Sequence, residues 1–216
     1  METLARVRRK RGRPLDPDRV LLKREEILRA AATSFGKDGY SSTDVNRIAH
    51  AAGITKGTIY HYFGSKEDLF LATADFEANR LRMFVLEAAD ACDDSLDELG
   101  AVVYSYLRFF QDNPLVVELF VEERSTFKDR KKHTYFIHRD MTLSRWHRLL
   151  QKMSDEKRIR PVDPEKFVSV LSDTLYGTVF ANYFAGTELT AAEQANQILD
   201  VVLGGMLVQP HTFCFD

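Results

Sequence analysis

The chain of 216 residues is 44% hydrophobic with a net charge of −2, which suffices for one or two domains with a sizeable core. No stretch approaches the roughly 18 apolar residues of a membrane span and no apolar signal-peptide core follows the basic N-terminus, so neither membrane insertion nor secretion is expected. Cys92 and Cys214 fit neither a disulfide framework nor a metal-ligand spacing, so the expectation is a protein of the reducing cytoplasm that holds no metal.

The small net charge conceals an asymmetry. Residues 1–68 hold 14 Lys+Arg against 9 Asp+Glu, whereas residues 69–216 hold 16 against 23. The N-terminal part is built to meet a polyanion, and the acidic remainder is not. The densest positive run, Arg6 to Pro14, is denied a helix by Gly12 and Pro14. Arg11, Gly12, Arg13 and Pro14 resemble the core of an AT-hook, so Arg11 and Arg13 are expected in a narrow minor groove. The alternative is a disordered tail adding only nonspecific attraction.

The first helix is expected over 23–38, with Ile27, Leu28, Ala31 and Phe35 as its packing stripe and Gly39 as its end. Ser42 or Thr43 would cap the next helix, and the Thr43 hydroxyl would also be placed to bond a phosphate. From Thr43 to Ala52, Val45, Ile48, Ala49 and Ala52 recur at helical spacing. Gly53 breaks the pattern, and Thr55 to Phe63 restarts it with Ile59, Tyr62 and Phe63 turned inward. This is a helix-turn-helix, with Ala49 where the helices cross and Gly53 in the turn.

The outer face of its second helix has the chemistry of a major-groove reader. Thr55, Lys56, Gly57 and Thr58 occupy the first turn, the end that meets base edges. Gly57 costs about 1 kcal/mol against Ala in a helix interior, which a close approach of DNA would explain. Tyr60, His61, Tyr62 and Lys66 follow as phosphate donors. Ser65 and Asp68 read as a capping box that starts the next helix.

The run AAGITKGTIYHYFGSKEDLF, within a match extending from about Arg24 to Phe70, resembles the DNA-binding signature of the TetR family of bacterial transcriptional regulators. The resemblance implies an all-α homodimer of about nine helices whose three N-terminal helices bind double-stranded operator DNA, with the rest binding a small-molecule effector and dimerising. The expected parts are therefore a basic arm over 1–22, a helix-turn-helix domain over 23–68 and an effector and dimerisation domain over 69–216.

Beyond Lys66 the helical pattern continues unbroken to the acidic DACDDS stretch, so one long helix belongs to both domains and couples them. Ser95 and Glu98 read as a capping box for a helix that stops at Asn113 and Pro114. A short helix is expected over 115–124 and a long one over 129–153. Asp163 and Pro164 start a helix over 165–185 that is apolar on nearly all sides, and the last helix, about 191–208, shows the same excess. In the family the last two helices pair with their copies, so Val179 and Val202 are expected at a homodimer interface, the alternative being central core helices.

No Gly-rich phosphate loop, CxxC or HExxH pattern or defensible Ser/His/Asp order is present, so neither catalysis nor a cofactor is expected. Aromatic residues crowd the middle of the C-terminal part, more than a tight core needs. Phe109, Phe120, Tyr135, Phe136, Trp146, Tyr176 and Phe180 are candidates to line a pocket for a largely apolar effector. His133, Asp140 and His147 recur every seven residues along the expected long helix; they are either a polar stripe in the pocket or ordinary surface groups. His147 and Asp173 are the candidates to orient a ligand head. The expectation is a repressor released from a palindromic operator by that effector. An effector-free regulator or an activator is the alternative, followed by an architectural DNA-binding protein.

Overall fold

The computed structural model describes residues 17–205. Among them are ten helices and no strand: α1 Pro17–Ser42, α2 Val45–Ala51, α3 Lys56–Phe63, α4 Lys66–Asp90, α5 Ser95–Asp112, α6 Leu115–Thr126, α7 Thr134–Asp140, α8 Leu143–Asp155, α9 Pro164–Ala185 and α10 Ala191–Leu203. None is long and apolar enough to cross a membrane. The protein is all-α, as expected. Arg11 and Arg13 lie outside the described residues, as do Cys214 and the end of the expected last helix.

Two apolar cores organise the chain. The first gathers Ile27, Leu28 and Phe35 of α1, Ile48 of α2, Ile59 of α3 and Phe70 of α4. The second is built from α4, α5, α6, α8, α9 and α10, with Tyr135 of α7 among its buried residues. Two elements join them. The 25-residue helix α4 places Leu69 and Phe70 in the first core and Ala78, Leu81 and Val85 in the second. Helix α6 inserts Leu119, fully buried, into the first core and Phe120 into the second. The Phe70 ring meets Phe35, Tyr40 and Phe127, so an aromatic cluster binds α1 to α4 and to the end of α6. At Gly36 the backbone of α1 runs against Leu115 so closely that an added Cβ would lie 2.8 Å from its Cβ and 2.9 Å from its carbonyl oxygen.

Two helix starts differ from expectation for one reason: an aspartate next to a hydroxyl residue takes the cap. Asp44, not Ser42 or Thr43, caps α2, accepting from Asn46 N at 2.9 Å. Asp94, not Ser95, caps α5 and accepts from Leu96 N at 2.8 Å, while Ser95 donates to Glu156 and Glu98 pairs with Arg145. At α4 the Ser65 hydroxyl accepts from Asp68 N at 3.0 Å as expected, but it donates to the Asp68 carboxylate, where a full capping box would have that carboxylate take the Ser65 N–H. Asp163 caps α9 as expected.

The expected long helix over 129–153 is two helices. Residues 128–133 are polar and have no apolar stripe to bury, so the chain there is held by Glu123, a fully buried carboxylate of α6. Glu123 pairs with Arg130 and accepts from Thr134 N at 3.0 Å and Thr134 Oγ1 at 2.8 Å, which sets the start of α7. The break at Thr142 comes from local competition for the backbone: its hydroxyl donates to Arg139 O at 2.9 Å and accepts from Trp146 Nε1 at 3.0 Å. His133, Asp140 and His147 therefore do not form a stripe on one helix. Asp140 instead pairs with Lys132 and Arg139.

Candidate nucleic-acid interface and ligand cavity

Helices α2 and α3 cross over Ala49, 3% exposed, with Val45, Ile48 and Ile59 buried beneath. The turn between them is tight: Gly53 N donates to His50 O at 3.1 Å and Ile54 N to Ala49 O at 2.9 Å. Gly53 sits at φ 63°, a conformation side chains with a Cβ resist. From α1, Lys23 donates to Ala52 O at 2.8 Å and so holds the end of α2. Sequence reading passed over Lys23 because its partner is a backbone carbonyl 29 residues away.

On this scaffold α3 turns one side outward. Thr55 caps it, accepting from Thr58 N at 3.2 Å and sharing a hydrogen bond with the Thr58 hydroxyl at 2.9 Å. Lys56, Gly57 and His61 are exposed. Lys56 makes no ion pair among the described residues and lies 5.7 Å from the Tyr60 ring centre. A Cβ on Gly57 would meet only Thr55 Oγ1, at 3.8 Å, so nothing inside the protein requires glycine there. Tyr60 and Tyr62 are half-buried, their rings packed on the N-terminal core. Lys66 donates to Ser41 O at 3.2 Å and lies over the Tyr40 ring. Thr43 has to be corrected: it is 4% exposed and its hydroxyl donates to Gly39 O at 2.6 Å, so its one proton is not free for a phosphate.

In the second core a cavity of about 110 Å³ lies among α4, α5, α7, α8 and α9. Tyr135 and Trp146 line it. The other aromatic candidates do not: Phe109 and Phe120 are buried in the surrounding core, and Phe136, Tyr176 and Phe180 form a ring stack beside Tyr135. His147, half-buried on α8, is not among the lining residues. Asp173 has to be corrected as a ligand-orienting group, because it is exposed on the outer side of α9 while its neighbour Ser172 faces the cavity. A helix that buries one stripe turns the next residue about 100° away, and exposure removes the cost of an unpaired carboxylate.

The polar lining comes from residues the sequence reading missed: Arg82 on α4, Tyr106 on α5, and His138 and Arg139 on α7. Tyr135, His138, Arg139 and Thr142 are spaced by three and four, a helical face that lies within the helix expected over 129–153 and was legible there. Tyr106 and Tyr135 share a hydrogen bond of 2.8 Å between their hydroxyls. Burial pushes the Tyr106 phenol well above its ordinary value and the Tyr135 phenol to about 12, so both are neutral donors at physiological pH. His138 Nε2 lies 2.8 Å from Asp75 Oδ1, tying α7 to α4.

A compact helix-turn-helix with an open first turn on its second helix, carried on a helical body with an internal cavity, is the build of a DNA-binding transcriptional regulator. Comparison with known proteins agrees. Residues 27–73 match the family described as bacterial regulatory proteins, tetR family. The repressor KstR2 of Mycobacterium tuberculosis is 28% identical over 190 residues, spanning 85% of this chain and 92% of that protein. The solved structure of KstR2, a ketosteroid transcriptional regulator, superposes with a TM-score of 0.64 at 25% identity over 87% of this chain and 96% of that one. PfmR of Thermus thermophilus, a TetR family transcriptional regulator, gives a TM-score of 0.66 at 23% identity over 83% of this chain and 97% of that one. The chain carries a DNA-binding domain of the TetR family and is similar to transcriptional repressors along most of its length.

Proposed function

We propose that the protein is a repressor whose hold on a palindromic operator is loosened when a small, largely apolar effector occupies the cavity of the second core. The observation that carries the DNA-binding half is the outward side of α3. Lys56 and His61 are exposed, and Gly57 has no internal reason to be glycine. Thr55, Lys56, Gly57 and Thr58 then meet base edges while Tyr60, His61, Tyr62 and Lys66 bond phosphates. The arm with Arg11 and Arg13 enters the flanking minor groove. The similarity to KstR2, named a transcriptional repressor, supports repression.

The cavity supports the effector. At about 110 Å³ it is narrower than the roughly 300–1,000 Å³ of pockets that hold such molecules. An occupant must therefore part the helices around it, and one of these, α4, reaches the first core, as does α6 packed against it. A ligand that favours the parted arrangement lowers operator affinity, and operator DNA lowers ligand affinity by the same factor.

A homodimer through α9 and α10 is supported by their exposed apolar side chains: Val170, Phe184 and Val201 are 59%, 66% and 79% exposed. These replace Val179, which is 4% exposed and belongs to the protomer's own core. The division of labour follows: the arm and residues up to about 68 bind DNA, and the rest binds effector and partner subunit.

Footprinting on DNA from the protein's own genome tests the reading. A discrete two-fold symmetric site, lost in Lys56→Ala and released by apolar ligands, is the expected result. Uniform coverage of DNA would overturn it in favour of an architectural role.

A further inference from the structure

The charged or titratable side chains that line the cavity, apart from its two tyrosines, are Arg82, His138 and Arg139; no Asp or Glu lines it. Arg139 shares Asp140 with Lys132, so that group as a whole keeps a positive charge. Arg82 makes no ion pair among the described residues, and its Nη2 donates only to the neutral Asn79 amide, at 2.6 Å. Two polar atoms of the cluster are buried and unpartnered, Arg82 Nε and His138 Nδ1. A buried N–H left without an acceptor is costly, and a guanidinium matches an oxyanion better than any neutral acceptor. His138 Nε2 is held by Asp75 Oδ1 at 2.8 Å. Across the cavity, α5, α8 and α9 present apolar side chains except for Tyr106 and Ser172.

We propose that the effector is an amphipathic anion. Its oxyanion head, carboxylate or phosphate, is received by Arg82 with Arg139, and its apolar body lies against Leu99, Trp146, Leu150 and Leu171. This rests on the effector reading above and adds the class of ligand to it. The Tyr106–Tyr135 pair spends one of its two hydroxyl protons on their mutual bond, and the other remains to donate to an oxygen further along the ligand.

Trp146 lines the cavity and is the single tryptophan of the chain, so its fluorescence reports occupancy without DNA. The experiment titrates the full-length protein with decanoate, decyl phosphate, decanol and decyltrimethylammonium, and measures operator release in the same samples. One or both anions are expected to bind at least tenfold more tightly than decanol and the cation; which of them does so distinguishes carboxylate from phosphate. Arg82→Gln is expected to erase the advantage of the anion over decanol, and Arg139→Gln to reduce it, in variants whose helical content and melting are checked by circular dichroism. Decanol binding as tightly as both anions, no binding by any of the four, or an undiminished anion preference in folded Arg82→Gln would overturn the proposal. Equal binding of decanol with operator release would do so while leaving the effector reading intact. Anion binding without release would keep the anion site and overturn release instead.

Discussion

Gly57 separates what the fold needs from what DNA needs. A Cβ there would touch nothing closer than 3.8 Å and the helix would gain propensity, so Gly57→Ala should leave the melting temperature unchanged or raise it, by up to about 1 kcal/mol of stability. Operator affinity should fall at least tenfold because the methyl group stands between α3 and the groove floor. Gel-shift titration beside thermal melting checks both halves, and unchanged affinity would remove Gly57 from the docking face. Thr43 is the opposite case. From the sequence it offered a hydroxyl to phosphate, yet the chain turns it inward to two carbonyls, Gly39 O at 2.6 Å and Ser34 O at 3.2 Å. Nothing in its own neighbourhood announces that use, since both partners belong to the preceding helix.

Among the elements, α1 and α6 are locked most tightly at Gly36. Gly36→Ala would push a methyl group into the Leu115 backbone, which cannot swing aside as a side-chain tip can. The expected cost is about 1–3 kcal/mol, together with an altered operator affinity, because the parting of α1 from α6 displaces the helix on which α2 and α3 rest. Calorimetry and operator titration of the same variant read the two effects, and a change in stability alone would deny α6 a part in transmission. At this scale most of the architecture was legible. The helix-turn-helix, the shared α4 and the apolar α9 were carried by periodicity and by punctuation at Gly53 and Pro164. The interruption between α7 and α8 was not, because it depends on Thr142 turning to Arg139 O and on Glu123 reaching Thr134 from another helix. The cavity was less legible: His138 and Arg139 share a helical face with Tyr135 but read as surface charges, and most of the aromatic surplus packs in the core around the cavity instead of lining it.

For the whole molecule, the question is what covers the outer surface of α9 and α10. Val201→Glu puts a charge on the most exposed of the large apolar side chains, away from the protomer's own core. The fold should therefore persist while the dimer dissociates, with circular dichroism unchanged and sedimentation giving about half the mass. A monomer holds one half-site and should lose most of the operator affinity. A variant that stays dimeric with native affinity would place the interface elsewhere.

Helix α4, with 25 residues, is about 37 Å long at 1.5 Å per residue. In the proposed release it acts as a lever pivoting at its middle, between the two cores that it joins. A tilt of about 5° carries one end through about 3 Å relative to the other. In the proposed dimer the two recognition helices must stand about 34–36 Å apart to enter successive major grooves. The end toward the DNA takes half of that displacement, so if both levers tilt outward the spacing changes by about 3 Å, nearly one base-pair step of 3.4 Å. Neither half-site contact need be damaged for the pair to lose its register, so release can be a matter of gauge, with each helix-turn-helix intact and only the distance between them wrong.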